Sequence, residues 1–142
     1  MAYPIDKKIV VGISSNALFD LNKEDEIFKE KGLEAYRKYQ VDHKNDVLGK
    51  GVAFPFIKRF LAINDVYVEE QPIEVILLSR NSPETGVRAF NSKRHNGLDI
   101  SRAVFMSGGS AIDYIPAFNI SLFLTKDEED VIAALESGEP AG

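Results

Sequence analysis

The chain has 142 residues, 44% of them hydrophobic, no cysteine, and a formal net charge of -5. That length and apolar content can bury a full core without staples, and the lack of cysteine excludes disulfide frameworks, thiolate zinc sites and cysteine nucleophiles. The acidic balance argues against a nucleic-acid backbone or an anionic membrane as partner, because both reward a basic face.

No apolar run approaches the roughly 18 to 20 residues that span a bilayer, and Met1 to Lys8 has the wrong order of charge and apolar residues for a signal peptide. A cytoplasmic single domain over residues 1–142 is therefore expected. Its first strand runs from Ile9 to Ile13. Asn22 can cap a helix beginning Lys23-Glu24-Asp25, with acids in the first turn where the helix dipole favours them, and Leu33, Tyr36 and Tyr39 continue a helical face after Gly32. Val41 to Val52 reads as loop. Phe54, Phe56, Ile57, Phe60 and Leu61 then mark an apolar helix face opened by Pro55, which completes a helical insert at about 22–64 after the first strand.

The second strand, Ile73 to Leu78, feeds a helix with Ser82 as N-cap and Pro83 at its first position; Val87, Phe90 and Asn91 turn inward before Gly97 ends it. Ala103 to Met106 is the third strand. The fourth, Ile120 to Leu124, meets Thr125-Lys126-Asp127-Glu128, where Thr and Glu stand at capping-box spacing, and a last helix with Val131, Ile132 and Leu135 runs to Gly138. Strands alternating with helices predict a three-layer α/β domain with a mainly parallel sheet.

Three strand ends carry the same chemistry: Ser14-Ser15-Asn16, Ser79-Arg80-Asn81 and Ser107-Gly108-Gly109-Ser110. Ligands of open α/β sheets bind at the carboxyl ends of strands, where hydroxyls, backbone N–H groups and an arginine can hold a phosphate. Ser14, Ser79 and Ser107 are expected to converge at one edge. Each cluster also has a plainer reading, since Ser, Asn and Gly are ordinary turn and capping residues, and the SGGS turn matches neither the Rossmann nor the P-loop glycine spacing. None of the three strand ends carries Asp, Glu, Cys or His. Asp127 and Glu128 are explained by the capping box, His43 and His95 read as solvated, and Phe54, Phe56 and Phe60 read as core or interface rather than a base-stacking platform.

The runs Ser14-Ser15-Asn16-Ala17-Leu18-Phe19, Gly51-Val52-Ala53-Phe54-Pro55-Phe56-Ile57-Lys58, Leu77-Leu78-Ser79-Arg80-Asn81-Ser82 and Ser107-Gly108-Gly109-Ser110 resemble, in order, the amino-terminal half of the cytosolic 5'-nucleotidase type I family. The resemblance runs from about Lys8 to the C-terminus. It implies a haloacid-dehalogenase-like fold and, for the complete family enzyme of about twice this length, magnesium-dependent hydrolysis of nucleoside 5'-monophosphates. It also implies that the Asp-x-Asp nucleophile and acid stand in the other half. Aligned through Leu18-Phe19, the resemblance puts Ile13 at the nucleophile position, Ser15 at the acid, Ser79 at the second motif's hydroxyl, Ala111 near the third motif's lysine, and Phe123 and Leu124 near the fourth motif's acids.

An aspartyl-phosphate route needs a carboxylate nucleophile, and magnesium needs carboxylate oxygens beside the phosphate. The expectation is therefore a domain that binds a nucleoside monophosphate or phosphate through Ser14, Ser15, Asn16, Ser79, Arg80, Asn81, Ser107, Gly108, Gly109 and Ser110, with no catalytic or metal-binding residue of its own. Its other partner is a catalytic second half or a further copy of the chain. Two readings compete with it: a stand-alone phosphohydrolase using the off-motif acids Asp20, Asp113 or Asp127, and a purely structural module.

Overall fold

A computed structural model of the protein describes residues 8–79, 83–100, 102–106 and 111–142, without the side chains of residues 83–85. Its elements are β1 (Ile9–Ser14), α1 (Ser15–Leu18), β2 (Phe19–Asp20), α2 (Asn22–Asp42), β3 (Gly49–Lys50), α3 (Phe54–Leu61), α4 (Ile63–Val66), β4 (Ile73–Ser79), α5 (Pro83–His95), β5 (Arg102–Phe105), α6 (Tyr114–Ala117), β6 (Leu122–Leu124) and α7 (Glu128–Glu136). The expected cap at Ser82 lies outside the described residues.

A four-stranded sheet in the order β5-β4-β1-β6 forms the middle layer. Every pairing in it is parallel, with Ile13 opposite Leu77 on one side and Leu124 on the other. Both central strands are apolar on both faces, the pattern of a parallel sheet covered on each side. Side chains alternate across the sheet. Val11, Ile13, Val75 and Leu77 pack with Phe54, Ile57 and Leu61 of α3 and Ala89 of α5. Val10, Ile76, Leu78 and Phe123 pack with Ile115 of α6 and Ala134 of α7. The result is a three-layer, Rossmann-like α/β domain of the haloacid-dehalogenase-like kind. The chain moves from β1 through β4 to β5 and then returns to place β6 on the far side of β1, so the strand order reverses at β1.

Several local expectations are corrected by the structure. Val41 to Val52 is not all loop: α2 runs to Asp42, and β3 pairs antiparallel with β2, Phe19 opposite Lys50 and Asp20 opposite Gly49. Asn22 is the first residue of α2 rather than its cap, and Asp20 supplies the local bond by accepting the Asn22 N–H at 3.0 Å. Gly32 interrupts α2 at φ +87°, a conformation glycine tolerates, and behind it Tyr36 is buried while Leu33 is exposed.

On α5, Val87 is exposed, and the inward positions belong to Arg88, Ala89 and Ser92. Polar residues take that face because they are paired. Arg88 Nη1 donates to Glu24 Oε1 at 2.5 Å and to Gln40 Oε1 at 3.3 Å, and Ser92 Oγ accepts the Leu48 N–H at 2.9 Å. On α7, Ile132 and Leu135 are exposed, whereas Asp130 and Ala134, one turn apart, face inward. The capping box fails too. Glu128 is the first helical residue, Asp127 is the N-cap, and Thr125 Oγ1 accepts the Asp127 N–H at 3.1 Å.

Candidate functional site

A cavity of about 180 Å³ opens at the carboxyl ends of β1, β4 and β6, where the strand order reverses. Leu78, Ala111 and Phe123 give it apolar walls, and Ser14, Ser15 and Asn16 line it from the end of β1. The first polar turn is internally bonded: Ser14 Oγ donates to Asn16 Oδ1, and Asn16 Nδ2 donates to Asp127 Oδ1 at 3.4 Å. Ser15 Oγ and Ser79 Oγ lie 2.9 Å apart and share a hydrogen bond that ties the end of β1 to the end of β4.

Ser14 and Ser79 thus end adjacent strands at the same edge, as expected. Ser79, 1% exposed, stands behind Ser15 and is not among the lining residues. Arg80, Asn81, Ser107, Gly108, Gly109 and Ser110 lie outside the described residues. Ile13 has no exposed surface and packs in the core on the α3 side of the sheet. Of the Ile13 and Ser15 that alignment through Leu18-Phe19 selects, Ser15 lines the cavity together with its neighbours Ser14 and Asn16, and Ile13 does not. Ala111 and Phe123 do reach the cavity, but as hydrocarbon.

Three acids also line it: Asp25 from the first turn of α2, Asp127 at the N-cap of α7 and Asp130 in its first turn. The sequence does not point to Asp25 or Asp130, and it offers Asp127 both as a helix-capping acid and as one of the off-motif acids of the competing phosphohydrolase reading. Position was the available signal, since the loops that leave strand ends at a point of order reversal build the ligand crevice, and Asp127 follows β6 directly. Desolvation pushes the Asp25 carboxyl above its ordinary value of 3.8; Glu24 and Asp127 add to the rise, and Lys29 and Lys126 oppose it. Asp20 and Asp113, the other off-motif acids, are exposed and do not line the cavity.

Among the described residues, no group of three or more His, Cys, Asp or Glu side chains is gathered so as to hold a metal ion. This donor set does not fit the magnesium of the family reaction. The histidines stand apart from the cavity. His43 Nδ1 is 2.6 Å from Asp46 Oδ2 and its ring lies against Tyr39, and His95 is the exposed last residue of α5. Phe54 is core, whereas Phe56 is half-exposed and stacks on Phe60 at 5.4 Å. No helix among the described residues is long and apolar enough to cross a membrane.

The fold is that of a Rossmann-like α/β domain with a polar crevice where the strand order reverses, the place where open α/β sheets bind their ligands. Residues 1–142 match the family model described as 5'-nucleotidase. The chain is 35% identical over 135 residues, 92% of its length, to human cytosolic 5'-nucleotidase 1B, and spans 22% of that protein. That relative is therefore well beyond the twofold length that the resemblance implies. No solved structure matches. The chain belongs to the 5'-nucleotidase family.

Proposed function

We propose that this protein is a 5'-nucleotidase-family domain that binds a nucleoside monophosphate or phosphate at the strand-end cavity and does not hydrolyse it alone. One observation carries the reading: at the end of β1 the cavity is met by Ser14, Ser15 and Asn16, while Ile13 is sealed in the core. A hydroxyl and an amide hydrogen-bonded to each other can orient a ligand, but neither is the carboxylate an aspartyl-phosphate route requires. The positive charge that a phosphate needs would come from Arg80, with N–H donors from the Gly108-Gly109 backbone, since the described lining carries only acids and neutral groups. Turnover would need carboxylates brought by an Asp-x-Asp-bearing second half or another copy of the chain, acting with magnesium, in the cytoplasm.

Thermal melts with millimolar phosphate or AMP test binding: a ligand at about 100 times its dissociation constant adds about 2.7 kcal/mol of stability. No shift with either ligand would refute the binding claim. Phosphate release from AMP with Mg²⁺ tests the second claim and should stay at background.

One observation favours a second reading, a stand-alone phosphohydrolase: Asp127 alone of the three off-motif acids lines the cavity. Release by the parent that Asp127→Asn abolishes would establish it. A purely structural role would leave the protein without ligand shift and without release.

A further inference from the structure

We infer that the linked side chains Ser14, Asn16 and Asp127 take the place of a divalent cation between the ends of β1 and β6, so that ligands enter the cavity without a metal ion. Only the last clause rests on the binding reading proposed above. Asn16 Nδ2 donates to Asp127 Oδ1 at 3.4 Å, and Asn16 Oδ1 in turn accepts from Ser14 Oγ. The amide therefore bridges the two strand ends with a neutral donor, where a bridging cation would instead need oxygens turned toward it, one or two of them carboxylate.

Magnesium demands near-octahedral oxygen ligands at about 2.0–2.1 Å and sheds its waters reluctantly. An N–H pointed at the carboxylate cannot ligate, and it takes up Asp127 Oδ1, the oxygen that an ion shared with Asn16 would use. Asp130 is 4% exposed and already takes part in another interaction. Asp25 lines the same cavity from the first turn of α2 and is itself exposed, and with Asp127 and Asp130 it does not form a gathered three-acid set. Residues 80–82, 101 and 107–110 include no Asp, Glu, His or Cys, and the carboxylates outside the described side chains are Asp6 and Glu84. Asn and Asp have nearly the same shape, so Asn16→Asp exchanges the bridging donor for a second anionic oxygen beside Asp127 and should open a cation site.

The test is titration of Mn²⁺ with the full 142-residue chain, read by the paramagnetic resonance signal of the free ion. The parent should leave that signal unchanged at millimolar Mn²⁺. Asn16→Asp should tighten Mn²⁺ binding by on the order of tenfold or more, and Asn16→Asp combined with Asp127→Asn should lose the gain. Parent binding that Asp127→Asn removes would overturn the inference, as would an Asn16→Asp protein that melts cooperatively yet gains no Mn²⁺. If Asn16→Asp does not fold, the parent titration decides alone. Melts with AMP or inorganic phosphate, in Mg²⁺ and in EDTA, address the last clause: equal shifts support it and a shift that requires Mg²⁺ overturns it. Absence of any shift would refute the binding reading and this clause together, leaving the cation replacement to stand or fall on Mn²⁺.

Discussion

Gly51→Ala probes how the polar turn after β1 is held. The Gly51 N–H donates to the Leu18 carbonyl at 2.9 Å and the Ala53 N–H to the Ala17 carbonyl at 3.0 Å, so the backbone after β3 is strapped to α1, which carries Ser15 and Asn16. A Cβ at position 51 would stand 2.4 Å from the Ala17 carbonyl oxygen and 2.8 Å from the Leu18 carbonyl carbon. Both are backbone atoms, so no side chain can rotate away and the strap itself must move.

Overpacking of this kind costs about 1–3 kcal/mol, and each of the two strap bonds is worth about 0.5–1.5 kcal/mol. The terms do not simply add, because lifting the strap relieves the clash while it breaks the bonds. Alanine also trims the entropy of the unfolded chain, offsetting about 0.4–1 kcal/mol. The expected net loss is about 2–3 kcal/mol, read as a lower urea midpoint with unchanged slope by circular dichroism. Gly49→Ala is the control, since its Cβ would meet only Asp20 Cβ, at an ordinary 3.5 Å. A Gly51→Ala loss below about 0.5 kcal/mol, or one equal to the control, would refute the close approach as the reason for glycine.

Arg88→Ala leaves the Glu24 carboxylate, 4% exposed, without its cation; urea unfolding should register a loss of about 3–5 kcal/mol. Adding Glu24→Gln should recover part of it, and a fully additive double variant would argue against the pair. Asp25→Asn addresses pH: an acid whose folded value is raised binds more protons in the folded state, so the parent loses stability as pH rises from about 3.8 through the raised folded value. Melts across that window and up to neutral pH should show the parent falling behind the variant above it and level with the variant below it, whereas a constant difference would contradict the raised carboxyl.

The strands and the parallel sheet were legible because burial on both faces writes a continuous apolar run, as in Val75 to Leu78. Helix faces were legible only where the core is hydrocarbon. Phe54, Ile57 and Leu61 of α3 follow the apolar period and are buried as expected. On α5 the inward positions are Arg88 and Ser92, whose partners Glu24, Gln40 and Leu48 come from elsewhere in the chain. A period of apolar residues cannot reveal a face whose burial is made possible by a partner 64 residues away. The ribbon of β2 and β3 escaped notice for a related reason: two-residue strands are too short to show alternation, and Gly49-Lys50 has none to show.

The site illustrates a finer limit. Counting back from Leu18-Phe19 places two chain positions correctly only if the path between strand and anchor has the same shape in both proteins. Here β1 passes straight into the single turn of α1 at Ser15. Residues 14 and 16 both reach the cavity across that turn, joined by the Ser14 to Asn16 hydrogen bond, while Ile13 still belongs to the strand and points into the core. The residues facing a ligand are fixed by where the strand stops and the turn begins, and a count from a hydrophobic anchor does not contain that boundary. At that boundary the end of β1 presents Ser14, Ser15 and Asn16 to the crevice, hydroxyls and an amide without charge, and the hydrogen bonds of Ser14 and Asn16, extended to Asp127, hold the two sides of the crevice together.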